Sequence, residues 1–210
     1  MPERERNYQA EVHFALGTII QGVTVAALGD EIAAALRSLP FPGASWTFLT
    51  GFQSLLLCIL FWFTFVDHYF FGFRVIRLTA QTHFMFSVLY LILGLLQLIA
   101  IRFLDIPRLW MTVYVLLIAT TIIGSWLLSR VTLLHEESVR SVVEYDPGLK
   151  AFVLTFFLSL GCIITWYALP GLDNAIFRAV ALSISGIGLV VLAVYSIRVF
   201  QRHLTWLNRE

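Results

Sequence analysis

Charge is what this sequence of 210 residues has least of: Asp, Glu, Lys and Arg together make up 13% of it, where a soluble domain carries about a quarter. Lysine is almost missing, with Lys150 alone against thirteen arginines. No lysine lies deep in an apolar run, which argues against a retinal Schiff base. Cysteine is as scarce: Cys58 and Cys162 both sit inside apolar stretches and form no metal-binding spacing. The formal net charge of +1 gives no basic surplus for nucleic acid. Neither Gly-x-Ser-x-Gly nor His-Glu-x-x-His occurs. No apolar run carries the repeated arginines of a voltage sensor, and acids within such runs are too few for a carboxylate-driven pump. Repeats, low-complexity tracts and soluble-domain stretches are absent as well. No cofactor, metal or enzymatic activity is expected.

What is abundant is apolar sequence, 59% of residues, with a mean hydropathy of +0.84. About twenty mostly apolar residues cross the roughly 30 Å hydrocarbon layer of a bilayer as a helix. Six windows meet that requirement, near 12–36, 46–71, 83–101, 108–128, 150–169 and 175–200. The runs are continuous and do not alternate, which excludes barrel strands. The expected fold is therefore all-α: a single polytopic domain of six transmembrane helices. The charged stretch Pro2 to Arg6 resembles the opening of a signal peptide, but no convincing cleavage site follows, so the first window reads as a retained span.

Breaks between windows fit this division. Pro40, Pro42 and Gly43 precede the second window, with Ser45 as the expected N-cap. Asp105 and Pro107 separate the third and fourth. Asp146 and Pro147 open the fifth, and Pro170, Gly171, Asp173 and Asn174 open the sixth. Ten of the Lys and Arg residues flank one set of ends (Arg4, Arg6, Arg74, Arg77, Arg130, Arg140, Lys150, Arg198, Arg202 and Arg209). Four flank the other (Arg37, Arg102, Arg108 and Arg178). The positive-inside bias then places both termini and the loops 72–82 and 129–149 in the cytoplasm. In 129–149, an apolar face (Leu134, Val139, Val142, Val143) and the Glu136–Arg140 pair suggest an extension of the fourth span or a short interfacial helix. His135-Glu136-Glu137 reads as a solvated face and not as a metal site.

The first window is the polar one. His13, Gly17, Gln21, Thr24, Leu28 and Glu31 recur at spacings of three and four and share one helical stripe. Lipid cannot satisfy such a stripe, so it must face water, a pore or another helix. Two explanations compete. The stripe lines a pore, or it packs closely on neighbouring helices, helped by Gly17, Thr18, Gly22 and Ala26. A second polar group, Asp67, His68 and His83, follows the aromatic stretch Phe61 to Phe65. With His13 it forms an expected polar network that either braces a pore helix or senses protons. An ordinary interfacial end beneath an aromatic belt is the plainer explanation.

The layout resembles the bacterial members of the endosomal–lysosomal potassium channel family. Phe14-Ala15-Leu16-Gly17, with Thr24 seven residues beyond the glycine, keeps the Phe, Gly and Thr of that family's first-span signature. Phe61 to Phe65, His68, Arg74 and Arg77 look like its aromatic second span and the basic loop after it. The signature's Ser and Asp are Ala15 and Leu16 here. The resemblance implies six-span subunits with both ends cytoplasmic, in a bacterial inner (plasma) membrane. The leading expectation is an oligomeric ion channel, a homo-oligomer such as a tetramer, permeable to a monovalent, potassium-like cation. Gly17, Ile20, Gln21, Thr24 and Leu28 would line its pore, with Ile20 or Leu28 as the apolar narrowing. A non-conducting scaffold or partner subunit of the same fold is the alternative, motivated by the lost Ser–Asp pair. A lipid-acting intramembrane enzyme using Asp67, His68 and His83 is the third reading.

Overall fold

The computed structural model describes residues 3–37, 39, 44–74, 80–133 and 147–207. Among these, all regular structure is helical and there is no strand. Six long helices follow the six windows: α1 (Glu3–Arg37), α2 (Ala44–Arg74), α3 (Ala80–Ile101), α4 (Pro107–Leu133), α5 (Pro147–Ala168) and α6 (Ala175–Leu207). A single 3₁₀ turn, Pro170–Leu172, links the last two. Five helices contain stretches long and apolar enough to cross a membrane; in α5 the apolar part, Val153–Ala168, is shorter.

The helix starts are set by local chemistry. Pro107 and Pro147 open α4 and α5, where a missing N–H costs nothing. The Asn174 carboxamide oxygen accepts the Phe177 backbone N–H at 2.9 Å, capping α6. Ser45 is not the cap of α2, because that helix begins one residue earlier, at Ala44. Arg178, in the first turn of α6, pairs at 2.7 Å with Asp173 just before the helix and holds its carboxyl below the usual carboxylate range. α4 continues past the fourth window to Leu133. The rest of the 129–149 connection, with Glu136 and Arg140, lies outside the described residues.

α2 and α4 occupy the middle of the bundle. α1 packs on α2 and α3, and α5 packs on α4 and α6. Trp110, Met111, Tyr114, Ile118, Leu182 and Leu189 form the centre of the core. Buried polar side chains tie these helices together. The Gln53 amide donates to the Leu182 carbonyl at 2.9 Å and accepts from Ser185 Oγ at 2.7 Å. The Trp110 indole donates to Ser54 Oγ at 2.9 Å, Thr50 Oγ1 donates to the Leu104 carbonyl at 2.7 Å, and Tyr114 donates to the Ser185 carbonyl at 3.2 Å. Each bond links separate elements, so the polar atoms satisfy one another inside an apolar bundle.

Glycine sets the closest helix contacts. A methyl group on Gly17 would collide with the Phe65 ring, and one on Gly94 with the Ile20 side chain. Phe65 is fully buried. Gly17→Ala should therefore lower stability by about 1–3 kcal/mol through overpacking. Gly22→Ala, which meets open space, should leave stability unchanged. Thermal melts of the two variants in the same detergent check this pair.

Candidate functional site: the polar face of α1

The stripe on α1 turns toward the interior of its own chain. His13, Gly17, Gln21, Thr24 and Leu28 are all buried, and Ile20 is half-buried. These residues share a face because spacings of three and four return to the same side of a helix. That face meets α2 and α3.

The stripe is organised in levels. Near one end, His13 Nδ1 and Ser87 Oγ of α3 are hydrogen-bonded at 2.6 Å. The His13 ring lies 5.1 Å from Phe65 and edge-on to Tyr90 at 5.7 Å. Phe65 and Tyr90 also meet edge to face at 5.0 Å, the geometry that ring quadrupoles favour. Phe65 then covers Gly17 one turn along. Beyond it, Gln21 Nε2 donates to Gln97 Oε1 of α3 at 3.1 Å, and Gln97 Nε2 donates in turn to the Leu57 backbone carbonyl of α2 at 3.4 Å. Gln21 Oε1 finds no hydrogen-bond partner among the described residues. Thr24 donates back to the Ile20 carbonyl at 2.7 Å, a bond within α1. Leu28 belongs to the apolar core. Glu31, the last member of the stripe, pairs with Arg102 at 2.6 Å.

The polar network is joined in part. His13 and Asp67 both lie by Tyr90: His13 stacks edge-on to its ring, and the half-buried Asp67 acts on it electrostatically. His68 and His83 sit on α2 and α3, but their side chains lie outside the described set. Among the described residues, no three His, Cys, Asp or Glu side chains gather as a metal site. Phe14, the first position of the family-like signature, packs on Tyr69 at 4.9 Å and Trp62 at 5.9 Å. Phe14, Gly17 and Thr24 all work in seating α1 on its neighbours.

Ser87, Tyr90 and Gln97 on α3 escaped the sequence reading, as did the Gln53–Ser185 pair. The signal for Gln97 is visible afterwards: it is the one amide within the 83–101 window, and such a residue needs a partner at similar depth.

The opposite face of α1 differs. Ala15, Thr18, Gly22, Ala26, Gly29 and Ala33 are exposed along it, and nothing lies within 4 Å of a Cβ built on Gly22 or Gly29. Between these small residues α1 also exposes Ile19, Val23 and Val25, whereas α3 exposes larger side chains such as Phe84, Leu91 and Leu95.

No family model, curated protein or solved structure matches the chain.

If Gln21 and Gln97 are a structural pair, removing one half should cost more than removing both. Gln97→Leu strands the Gln21 amide and should destabilise by about 1–2 kcal/mol. Adding Gln21→Leu should recover most of that loss. A double-mutant cycle read by thermal or denaturant unfolding measures the coupling.

Proposed function

We propose that the chain crosses a bilayer six times with both ends cytoplasmic, and that it assembles through α1 into a homo-oligomeric channel for monovalent cations. The 22 residues of α5 reach about 33 Å at roughly 1.5 Å per residue, enough for a sixth crossing beside the five longer helices. The ten-to-four distribution of Lys and Arg supports the orientation.

The observation that carries the assembly is the asymmetry of α1. Its inner face is bonded to α2 and α3, while its outer face bears small side chains between Ile19, Val23 and Val25, with none of the described residues within 4 Å of a Cβ built on Gly22 or Gly29. A helix meant for lipid alone is served better by the Leu, Ile and Phe found on α3 and α6. Small residues at spacings of three and four let backbones of neighbouring helices approach closely. A ring of α1 helices would bring these faces toward a common axis. There Thr18 and exposed backbone would meet the ion, and Ile19, Val23 and Val25 would form the apolar narrowing. Gly17, Gln21, Thr24 and Leu28 then act by fixing the rotation of α1, one step removed from the ion.

A non-conducting oligomeric subunit is the second reading. One observation favours it: between Glu11 and Asp30 the outer face carries a single hydroxyl, Thr18, and no carboxylate. That is little to replace an ion's hydration shell.

Potassium flux into liposomes separates the readings. Gly22→Phe fits the isolated chain, because nothing crowds that position, yet it should cut flux by more than about tenfold if dewetting or blockage closes the path. Gln21→Leu should lower stability and leave ion selectivity as it was. Full flux in the Gly22→Phe variant, with altered selectivity in Gln21→Leu, would return the pathway to the inner stripe. No flux from the pure wild-type oligomer would favour the subunit reading.

A further inference from the structure

The outer face of α1 is bounded by a carboxylate at each end. Glu11, Ala15, Thr18, Gly22, Ala26 and Asp30 are all exposed and recur at spacings of three and four. Glu11 and Asp30 stand nineteen residues apart, about 28 Å at roughly 1.5 Å per residue. That matches a hydrocarbon core of about 30 Å, so Asp30 lies where the span meets water, opposite the chain termini. Between the two acids this face offers an ion almost no ligand. Its one hydroxyl, on Thr18, donates to the Phe14 carbonyl at 2.9 Å, and the hydrogen bonds of the helix engage the backbone. Ile19, Val23 and Val25 beside it are apolar and exposed.

The charges around Asp30 are few. Glu31 is paired with Arg102, just after α3, at 2.6 Å. Arg37 is exposed and donates from Nε to the Ala33 carbonyl at 3.2 Å. Seven residues place it about 10 Å farther out along the axis, beyond the screening length of about 8 Å at physiological ionic strength. α1 packs on α2 and α3. From Ser38 to Val66, and again from Ala80 to Ile101, the sequence holds no acid, lysine or arginine. Asp105, in the turn after α3, is an exposed second carboxylate at this end. Among the described residues Asp30 makes no ion pair.

We infer that Asp30 determines which ions enter, and that the choice is made by sign of charge and not by ion size. The inference rests on the assembly through α1 proposed above. With the α1 helices around a common axis, every copy brings one Asp30 to the mouth opposite the termini. The carboxylate acts there through its field and does not coordinate the ion. Like charges on low-dielectric walls focus that field and raise the local concentration of counter-ions by about ten- to a thousandfold. Telling potassium from sodium requires ligands that replace the hydration shell, as rings of carbonyl oxygens do. The outer face of α1 holds no such set, so the ion passes with its water and the two cations are treated alike.

Reversal potentials of the full chain in planar bilayers read both properties. In a potassium chloride gradient, wild type should favour potassium over chloride by about tenfold or more. Between potassium and sodium solutions, the permeability ratio should stay within about a factor of two of unity. Asp30→Asn should bring the potassium-to-chloride ratio to near one, a loss of about tenfold. Asp30→Glu, which keeps the charge, should keep the ratio. Asp105→Asn removes an exposed carboxylate at the same end but off α1, and should leave the ratio unchanged. Asp30 is exposed, and a thermal melt establishes that its variants remain folded. The inference is overturned if Asp30→Asn keeps the ratio, if Asp30→Glu loses it, or if Asp105→Asn lowers it as fully. It is equally overturned if wild type prefers potassium over sodium by more than about tenfold, since that takes dehydrating ligands. Absence of current from wild type overturns the channel reading and this inference with it, whereas current of unaltered selectivity in Asp30→Asn overturns this inference alone.

Discussion

A polar side chain within an apolar bundle must find its hydrogen bond inside the protein, and the placement of α1 follows from that constraint. Gln21, in the middle of the least apolar window, meets Gln97 of α3 at 3.1 Å, and His13 meets Ser87 at 2.6 Å. Both bonds cross from α1 to α3, so together they fix the depth and the rotation of α1. Burying either side chain without its partner would leave an uncompensated dipole in a low-dielectric interior.

The same rule shapes the other side of the molecule, where Gln53, Ser54, Trp110, Tyr114 and Ser185 bond α2, α4 and α6 to one another. Packing and polarity depend on each other there. Gly186 and Gly188 of α6 leave room for the Gln53 amide and the Tyr114 and Thr155 hydroxyls to come close to its backbone. At α1 the pairing is Gly17 with Phe65 and Gly94 with Ile20. Every inward glycine of these sets is occupied by a neighbour's side chain, whereas Gly22 and Gly29, on the outward face, are not. That contrast within one helix is what supports the proposed assembly through the outer side of α1.

Much of the fold was legible in the residues. Continuous apolar runs and the prolines at 107 and 147 locate the helices, because span length and proline's missing N–H are local matters. The polar stripe of α1 was legible as a stripe. Its partner was not, since periodicity gives the side of a helix that differs and never what stands opposite. What the stripe packs on within the chain needed Gln97, seventy-six residues away, and Ser87 with Tyr90. Single polar residues in an otherwise apolar window carry no period to announce them. The small face was hidden for another reason: Gly22, Ala26 and Gly29 look in sequence like the glycines and alanines of any close helix contact. Only the uncovered space above them sets them apart. His68 and His83, grouped with Asp67 on the strength of sequence proximity to helix ends, lie outside the described side chains.

The central claim is that α1 turns its polar face inward to its own chain and its small face outward to other copies. Cysteine cross-linking in bilayers tests it most directly, in a background with Cys58 and Cys162 replaced by alanine. The account predicts disulfide-linked dimers from Gly22→Cys and Ala26→Cys, and none from Gln21→Cys or Thr24→Cys. Cross-linking between copies at positions 21 and 24, with none at 22 and 26, would contradict it.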